Sequence, residues 1–559
     1  MDSLFTDKVN RVLPLNDYPR PQMVRDSWIN LNGTWKYKIT HSDIHPSDFD
    51  GEILVPFSPE CDLSGVGHIL MPDEYLWYER TFEIPRSYEG KRIILHFGAV
   101  DCEASVYVNG RNVINHVGGY LPFSADITDF LSDDENTLTL KVRDFTDTSY
   151  HSRGKQSMKR GGIWYTPQSG IWQTVWIEPV PKKHIGYLKI TPDYDTGSVY
   201  IETDSPDATA VFEGKEYPLP GRISVENFEA WSPENPKLYD FSVICGEDRV
   251  ESYFAIRKFS VEKDENGVKR FFLNGKPYFN NGLLDQGYWS DGMYTAPTDE
   301  ALIYDIQLAK DMGFNVLRKH IKVEPLRWYY HCDRLGMIVW QDMINGGRKY
   351  NQLLITAPLV TNLHLKDQSY ALFARQDKEG RDEYADELTA LINHLYNCPS
   401  VGLWVIFNEG RGQFDAVKAY EIVLETDKTR IIDTVSGWHD QNIGDVRSWH
   451  VYFRKYKFQK DKLSRAVILS EFGGFSCKIE GHTFNDKFFG YKRYDTPEEL
   501  YSALKSLYRD EIAPAKEKGL AAAIYTELTD IEDELNGLVT YDRKVVKIEP
   551  KRLKEIVSV

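Results

Sequence analysis

Long apolar runs are missing from this chain. Nothing approaches the roughly 18 consecutive residues that a membrane-spanning helix needs, and the longest obvious run is Val401 to Phe407. Cysteine is scarce: six among 559 residues (Cys61, Cys102, Cys245, Cys332, Cys398, Cys477) with no C-x-x-C pair. That excludes a disulfide framework or a structural zinc as the organising device and leaves free thiols as the expectation. Positive charge is in deficit, 67 Lys and Arg against 84 Asp and Glu, so the net charge of −17 argues against nucleic acid or an anionic membrane as the main partner. Met1 to Arg20 has no apolar centre of the kind a signal peptide carries, because Asp2, Asp7, Lys8, Arg11, Asp17 and Arg20 interrupt it, and a cytoplasmic location is expected. Walker, H-E-x-x-H, G-x-S-x-G and G-x-G-x-x-G patterns are also absent. Two S-x-x-K matches, at Ser152 and Ser502, are too short to carry weight.

What is present describes a folded multidomain protein. Apolar residues make up 42% of the chain, aromatic residues 13% and charged residues 27%, enough to bury several cores. At about 100 to 200 residues per domain, the length predicts three or four domains. From about Asp26 to Pro179 short strand patterns alternate with turn signals, including Asn32-Gly33 and Asn109-Gly110, each a candidate type I′ hairpin. A β jelly-roll sandwich over 1–180 is expected, followed by a small immunoglobulin-like β-sandwich over 181–260.

Beyond Asn274-Gly275 the pattern becomes strand, helix, strand. Eight strands are predicted: Tyr278 to Leu284, Asn315 to Arg318, Met337 to Gln341, Val401 to Phe407, Arg430 to Val435, Trp449 to Phe453, Ala466 to Ser470 and Leu520 to Tyr525. Thr298 with Asp299 and Glu300, and Thr496-Pro497-Glu498-Glu499, mark helix starts. Eight such units over 261–559 predict a (β/α)8 TIM barrel, with Ile344 to Gly380 as a long connection of the kind that forms functional lids.

Barrel active sites lie at the carboxyl ends of the strands. There, two apolar runs break into Asn408-Glu409-Gly410 and Ser470-Glu471-Phe472-Gly473-Gly474. Two carboxylates facing each other across a barrel mouth suit retaining glycoside hydrolysis, with the carboxyl groups about 5 to 5.5 Å apart. One must be protonated before attack and the other held ionised by hydrogen bonds or a cation, for which Arg318 is the candidate. Asp285, Gln286, His320, Gln341, Asp342, Trp438, His439, Asp440, Tyr452 and Tyr525 are the further strand-end groups, carboxylates and amides for hydroxyl pairs and aromatic faces for sugar C–H surfaces. His450 and Tyr452 share a strand face by parity.

The sequence resembles glycoside hydrolase family 2, the family of β-galactosidases, β-glucuronidases and β-mannosidases. The resemblance runs through Tyr18-Pro19-Arg20-Pro21-Gln22, Leu31-Asn32-Gly33-Thr34-Trp35, Val106-Tyr107-Val108-Asn109-Gly110, Ser169-Gly170-Ile171-Trp172-Gln173, Trp231-Ser232-Pro233-Glu234-Asn235-Pro236 and Phe272-Leu273-Asn274-Gly275-Lys276-Pro277. Its most specific stretches are Gly313 to Arg318 with Cys332 to Gly336, then Phe407-Asn408-Glu409 and Ser470-Glu471-Phe472-Gly473. The resemblance implies the same three-part architecture, Glu409 as acid/base, Glu471 as nucleophile, Asn408 as partner of the sugar 2-hydroxyl, Tyr452 as donor to the nucleophile and Tyr525 at the position of a sugar platform. Relatives often carry histidine three residues after the strand-two arginine, whereas here Ile321 stands there with His320 beside it. Family β-glucuronidases carry an N-x-K motif near the last barrel loop. This chain has Glu534-Leu535-Asn536, which disfavours a uronic acid.

The expected activity is therefore that of a retaining exo-β-glycosidase acting on a neutral sugar, β-D-galactose first on family frequency, with no cofactor or metal and a possible homo-oligomeric state. β-Glucoside, β-mannoside, α-L-arabinopyranoside and β-glucuronide are alternative substrates. An inactive carbohydrate-binding protein is the alternative from another class.

Overall fold

A computed structural model describes residues 1–361 and 364–558. The first sandwich pairs a four-stranded sheet (Ile29–Asn30, Val175–Val180, Arg92–Phe97, Phe123–Asp126) with a six-stranded one (Gly51–Val55, Gly33–Thr40, Tyr75–Phe82, Asn136–Arg143, Glu103–Val108, Arg111–Val117). Strand Glu103–Val108 shows why such segments become strands: every second residue is buried, so one face serves the core shared by Leu95, Val106, Leu140 and Ile177. Asn109 (φ 51°) and Gly110 (φ 76°) make the expected hairpin into Arg111–Val117.

Asn32-Gly33 does not. Ile29–Asn30 pairs with Trp176 and Ile177 in one sheet, while Gly33–Thr40 enters the other. Asn32 holds that crossing by donating to the Pro14 carbonyl (3.0 Å) and accepting from the Val175 amide (3.0 Å).

The second sandwich is smaller, a three-stranded sheet (Leu188–Asp193, Ser198–Thr203, Gly221–Ser224) against a four-stranded one (Lys215–Pro218, Thr209–Phe212, Tyr239–Cys245, Asp248–Phe254). The two sandwiches are joined by buried charge. Glu178 accepts from Arg20, from Arg25 (3.1 Å), from Tyr18 and from the Trp176 indole (2.9 Å), and Arg25 reaches on to Asp248 (2.8 and 2.9 Å).

The barrel strands are Asn280–Asp285, Val316–Lys319, Ile338–Asp342, Val401–Asn408, Ile431–Ser436, Val446–Val451, Ala466–Gly473 and Leu520–Thr526, within a few residues of the predicted ones. All pairings are parallel in the order expected of a barrel. Strands five and six are linked through Asp445, which accepts from the Ile432 amide (2.9 Å) and donates its own amide to the Ile432 carbonyl (3.1 Å). A three-stranded sheet (Phe259–Lys263, Lys269–Leu273, Lys276–Pro277) and Trp231 pack on Trp340, Ile468 and Ile524.

Thr298 caps Asp299–Asp311 and Thr496 caps Pro497–Leu507, each accepting from the amide three residues on. Strand six runs earlier than predicted, with a register shift against strand seven between Trp449 and His450, and Tyr452 lies just beyond its end. The long connection after strand three contains a helix, Gln352–Val360, capped by Asn351, and a 3-10 turn, Tyr370–Phe373. Residues 362 and 363 of that expected lid lie outside the described residues. Among the described residues no helix is long and apolar enough to cross a membrane.

Glu178 is fully buried, yet the arginines hold its carboxyl well below the usual carboxylate range against the opposing effect of burial. Its stabilising contribution is therefore present above the ordinary carboxylate value and is lost only as the pH falls through its depressed folded value. Removing it takes the carboxylate away from Arg20 and leaves Arg25 with Asp248 alone. Glu178→Ala is expected to lower stability in denaturant by about 3–5 kcal/mol, whereas Asp207→Ala, at an exposed pair with Lys183, leaves the unfolding midpoint unchanged.

Candidate active site

The two glutamates arrive at the barrel mouth by different backbone devices. Strand four ends at Asn408, and Glu409 follows in the left-handed region (φ 55°) with Gly410 (φ 71°), so the chain turns sharply as it leaves the strand. Gly410 has to be glycine: a Cβ there would lie 2.7 Å from the His439 ring. Glu471 sits inside strand seven, where the register against strand eight shifts between Leu469 and Phe472 and re-aims the side chain.

The side chains meet at His450. Its Nδ1 lies 2.8 Å from Glu409 Oε1 and 3.4 Å from Glu471 Oε2, and these three atoms all fall within 4.8 Å of one another. His450 Nε2 is 3.0 Å from the Ser436 hydroxyl. Glu471 is held from both sides: Arg318 Nη1 donates to Oε1 (3.1 Å) and the Tyr452 hydroxyl donates to Oε2.

Arg318 is wholly buried and also donates to Asp342 (2.9 and 3.0 Å), to Asn408 Oδ1 (2.9 Å) and to the Ser470 carbonyl (3.0 Å). Asn408 Nδ2 is left buried and unpartnered among the described residues, as is Nε2 of His320, whose Nδ1 faces Asp342 at 2.8 Å. Burial, reinforced by Lys155 and Arg318, pushes the His320 imidazole well below its usual value and keeps it neutral, while burial lifts Asp342 to about 6 against the pull of Arg318.

Glu409 departs from the expected protonated acid. Burial alone would raise it, but Arg411, in close ion pair with Oε2, and His450 on Oε1 outweigh burial and bring it down to about 2. Arg411 lies under Trp164 (5.5 Å to the ring centroid) and Trp438 (5.9 Å).

The first sandwich completes the mouth. Its segment from Ser152 to Thr166 is fastened to the barrel where the Arg153 amide donates to the Asn345 carbonyl (2.6 Å), Arg160 pairs with Glu532 and Asp533, and the Tyr165 hydroxyl donates to Glu534. That segment carries Lys155, 8% exposed, with no ion pair or hydrogen bond from its ammonium among the described residues. The ammonium draws down the carboxyls of Glu409, Glu527 and Glu534. Burial nevertheless raises Glu527 and Glu534, and Glu534 adds to the shift of Glu527. Glu527 Oε1 and Asn536 Oδ1 are buried without partners, while Gln286 donates to Glu527 (2.7 Å) and to the Tyr165 hydroxyl (2.8 Å).

Of the residues expected from the sequence, Glu409, Glu471, Asn408, Arg318, His320, Tyr452 and Trp438 come together here. Three do not. Asp285 pairs in register with Lys319 on the next strand and is taken up by its ammonium (2.7 Å), in a buried cluster with Glu324 and Lys322. His439 (φ 53°) accepts from the Leu365 amide (3.1 Å) and faces the Leu354 carbonyl (3.2 Å), so it pins the long connection. Tyr525 is core: it packs edge-on to Phe472 and Phe475 and its hydroxyl accepts from the Phe475 amide (3.2 Å). The ring stacked on Tyr452 is instead Tyr491, at 3.8 Å.

His450, Arg411, Lys155, Trp164, Tyr491, Glu527 and Glu534 are additions that sequence reading does not single out as site residues. His450 was signalled by its parity with Tyr452, and Lys155 is the lysine of the S-x-x-K match at Ser152. A separate buried group, Asp101, Cys102 and Asp144, brings possible metal-ligand atoms within 4.8 Å in the first sandwich, but burial raises all three and favours their protonated forms.

Comparison with known proteins places this geometry in context. A family model described as "Glycosyl hydrolases family 2, sugar binding domain" matches residues 68–178, and one described as "Glycosyl hydrolases family 2, TIM barrel domain" matches residues 265–474. Among similar proteins, a β-glucuronidase of Streptococcus agalactiae is 24% identical, over 89% of this chain and 91% of that protein. A β-galactosidase of Thermoanaerobacter pseudethanolicus is 24% identical, over 80% of this chain and 61% of its own. The structure of a β-D-glucuronidase from Dictyoglomus thermophilum superposes with a TM-score of 0.75 at 20% identity, covering 97% of this chain and 98% of that one, a likeness of fold. Some relatives are much longer: the chain spans 61% of the Thermoanaerobacter protein and 39% of one from Formosa agariphila. The two family models together cover more than half of the sequence, and the chain belongs to glycosyl hydrolase family 2.

Proposed function

We propose that the protein is a retaining exo-β-glycosidase that releases a terminal hexuronic acid. The observation that carries the retaining mechanism is the spacing of the two carboxylates, whose nearest oxygens lie within 4.8 Å through His450. That fits the short separation of about 5–5.5 Å of retaining enzymes and leaves no room for the water that inverting enzymes place between sugar and base. Glu471, ionised beside Arg318 and Tyr452, attacks C1 of the sugar as the C1–O bond breaks with its electron pair going to the leaving oxygen. Glu409 supplies a proton to that oxygen, then takes one from the water that releases the glycosyl group from Glu471. The unpaired Asn408 amide suits the sugar 2-hydroxyl, and the unpaired Glu527, Asn536 and His320 atoms suit other hydroxyls.

An acidic glycone is supported by Lys155. Asn536 stands where family β-glucuronidases have a lysine, but an unpartnered ammonium comes from residue 155 and acts electrostatically on Glu534, two residues away from Asn536 in the chain. A buried cation without a partner is costly, and a substrate carboxylate offsets that cost. Relatives named β-glucuronidase are in keeping with this. A neutral hexose, β-D-galactose first, is the second reading, favoured by Asn536 itself and by relatives named β-galactosidase.

Nitrophenol release from aryl β-glucuronide, β-galacturonide, β-galactoside, β-glucoside, β-mannoside and α-L-arabinopyranoside tests the assignment. A uronide is expected to dominate, and Lys155→Met to lower kcat/KM for it about 10- to 100-fold. A dominant galactoside signal insensitive to Lys155→Met establishes the second reading instead. Glu471→Gln is expected to cut turnover by about a thousandfold or more on every substrate. Glu409→Gln should reduce hydrolysis of alkyl glycosides far more than that of nitrophenyl glycosides, whose leaving groups need little proton assistance, and equal losses would contradict the acid assignment.

A further inference from the structure

Arg411 sits where an acid/base has least use for it. It occupies the Glu409 oxygen that points away from Glu471, since Oε1 faces His450 and the nucleophile while Oε2 is held by the guanidinium. The sugar ring lies between the two glutamates, so the Oε2 side is the side on which the leaving group departs. Arg411 is 4% exposed and its Nε is sealed without a partner, so the guanidinium has donor capacity that Glu409 does not use.

Its backbone is fixed. Gly412 (φ 67°) has the Gly346 carbonyl 2.2 Å from where a Cβ would stand, its own carbonyl accepts from Arg375 Nε (2.9 Å), and the Arg411 amide donates to the Asn408 carbonyl (3.1 Å). Two indoles flank the guanidinium. Trp164, only half-buried, offers an aromatic face at the mouth, and Trp438 lines the wall below with its indole nitrogen unpartnered.

While this ion pair is closed, Glu409 is a poor proton donor, and leaving groups that need a proton depart slowly. We propose that the aglycone side of the site accepts an acidic sugar, and that its anionic group takes Arg411 away from Glu409 and so frees the acid for catalysis. The guanidinium fork matches a carboxylate or a sulfate ester, and the exposed Trp164 face suits the sugar ring that bears it. Once released, Glu409 takes up a proton from a hydronium ion of the solvent and passes it to the leaving oxygen as the C1–O bond breaks and Glu471 bonds to C1; the proton it later takes from the attacking water returns to the solvent when the pair with Arg411 re-forms. Arg411 is thus a specificity-determining residue of the aglycone site, and the proposal rests on Glu409 being the acid/base.

The test uses disaccharides that share glycone and linkage and differ only in the aglycone: a neutral hexose, the corresponding hexuronate, and the same hexose carrying an O-sulfate. The wild-type enzyme is expected to favour at least one acidic aglycone about tenfold or more in kcat/KM, the two acidic arms showing which anion is read. Arg411→Met should abolish that preference, while Arg411→Lys, which keeps the charge, should retain part of it. Arg411→Met should also move the alkaline limb of the kcat/KM pH profile on the neutral disaccharide upward, because Glu409, the group that must be protonated, would lose the cation that holds it down and keep His450 and Lys155 beside it, with Glu471, Tyr452 and Tyr491 also facing it. No preference in the wild type, or a preference that survives Arg411→Met, overturns the proposal. The same disaccharides with Glu409→Gln show separately whether the acid/base assignment stands.

Discussion

The site depends on one buried cation. Arg318 has no exposed surface and spends its guanidinium on groups from strands three, four and seven: the Asp342 carboxylate, the Asn408 amide oxygen, the Ser470 carbonyl and the Glu471 carboxylate. Its own strand is the second, so a single planar group with fixed donor directions sets the relative height of four strands at the mouth. Such a charge is tolerated only because its donors are matched, and the matching makes the surroundings rigid. The orientation of Glu471, the placement of Asn408 and, through Asp342, the position of His320 all follow from it.

The electrostatic plan around this centre is uneven. Glu471 is held by two donors, Arg318 and Tyr452, whereas Glu409 is partnered by Arg411, whose contacts are made at a mouth lined by two domains. Glu527 and Glu534 are both raised by burial and both drawn down by Lys155.

Much of the barrel was legible because parallel strands buried on both faces read as continuous apolar runs with turn residues at their ends. The same feature exposed Asn408-Glu409 and Ser470-Glu471, since a polar residue directly after such a run stands at the mouth. Parity along a strand says which residues share a face but not which face is inside, and that is why Tyr525 entered the expected site although it belongs to the layer between strand and helices. Asp285 was misplaced for a related reason: its partner, Lys319, is its register neighbour on another strand, invisible to any local pattern. His450 was within reach of parity, and its role depended on two glutamates meeting from opposite sides. The Asn32-Gly33 hairpin failed because the dipeptide marks a turn in the chain without saying whether the flanking strands pair with each other.

Lys155 and Trp164 were beyond sequence reasoning, because no periodicity reports a contact between a sandwich loop and a barrel mouth. That contact also orders events during synthesis. The sandwich emerges from the ribosome first and can fold as a unit, carrying its lysine hook on a loop whose anchors, Asn345, Glu532 and Glu534, do not yet exist. The last of these anchors follow the eighth barrel strand, so the loop cannot be fastened before that strand has been made, and docking of the first domain and completion of the barrel mouth belong to one stage.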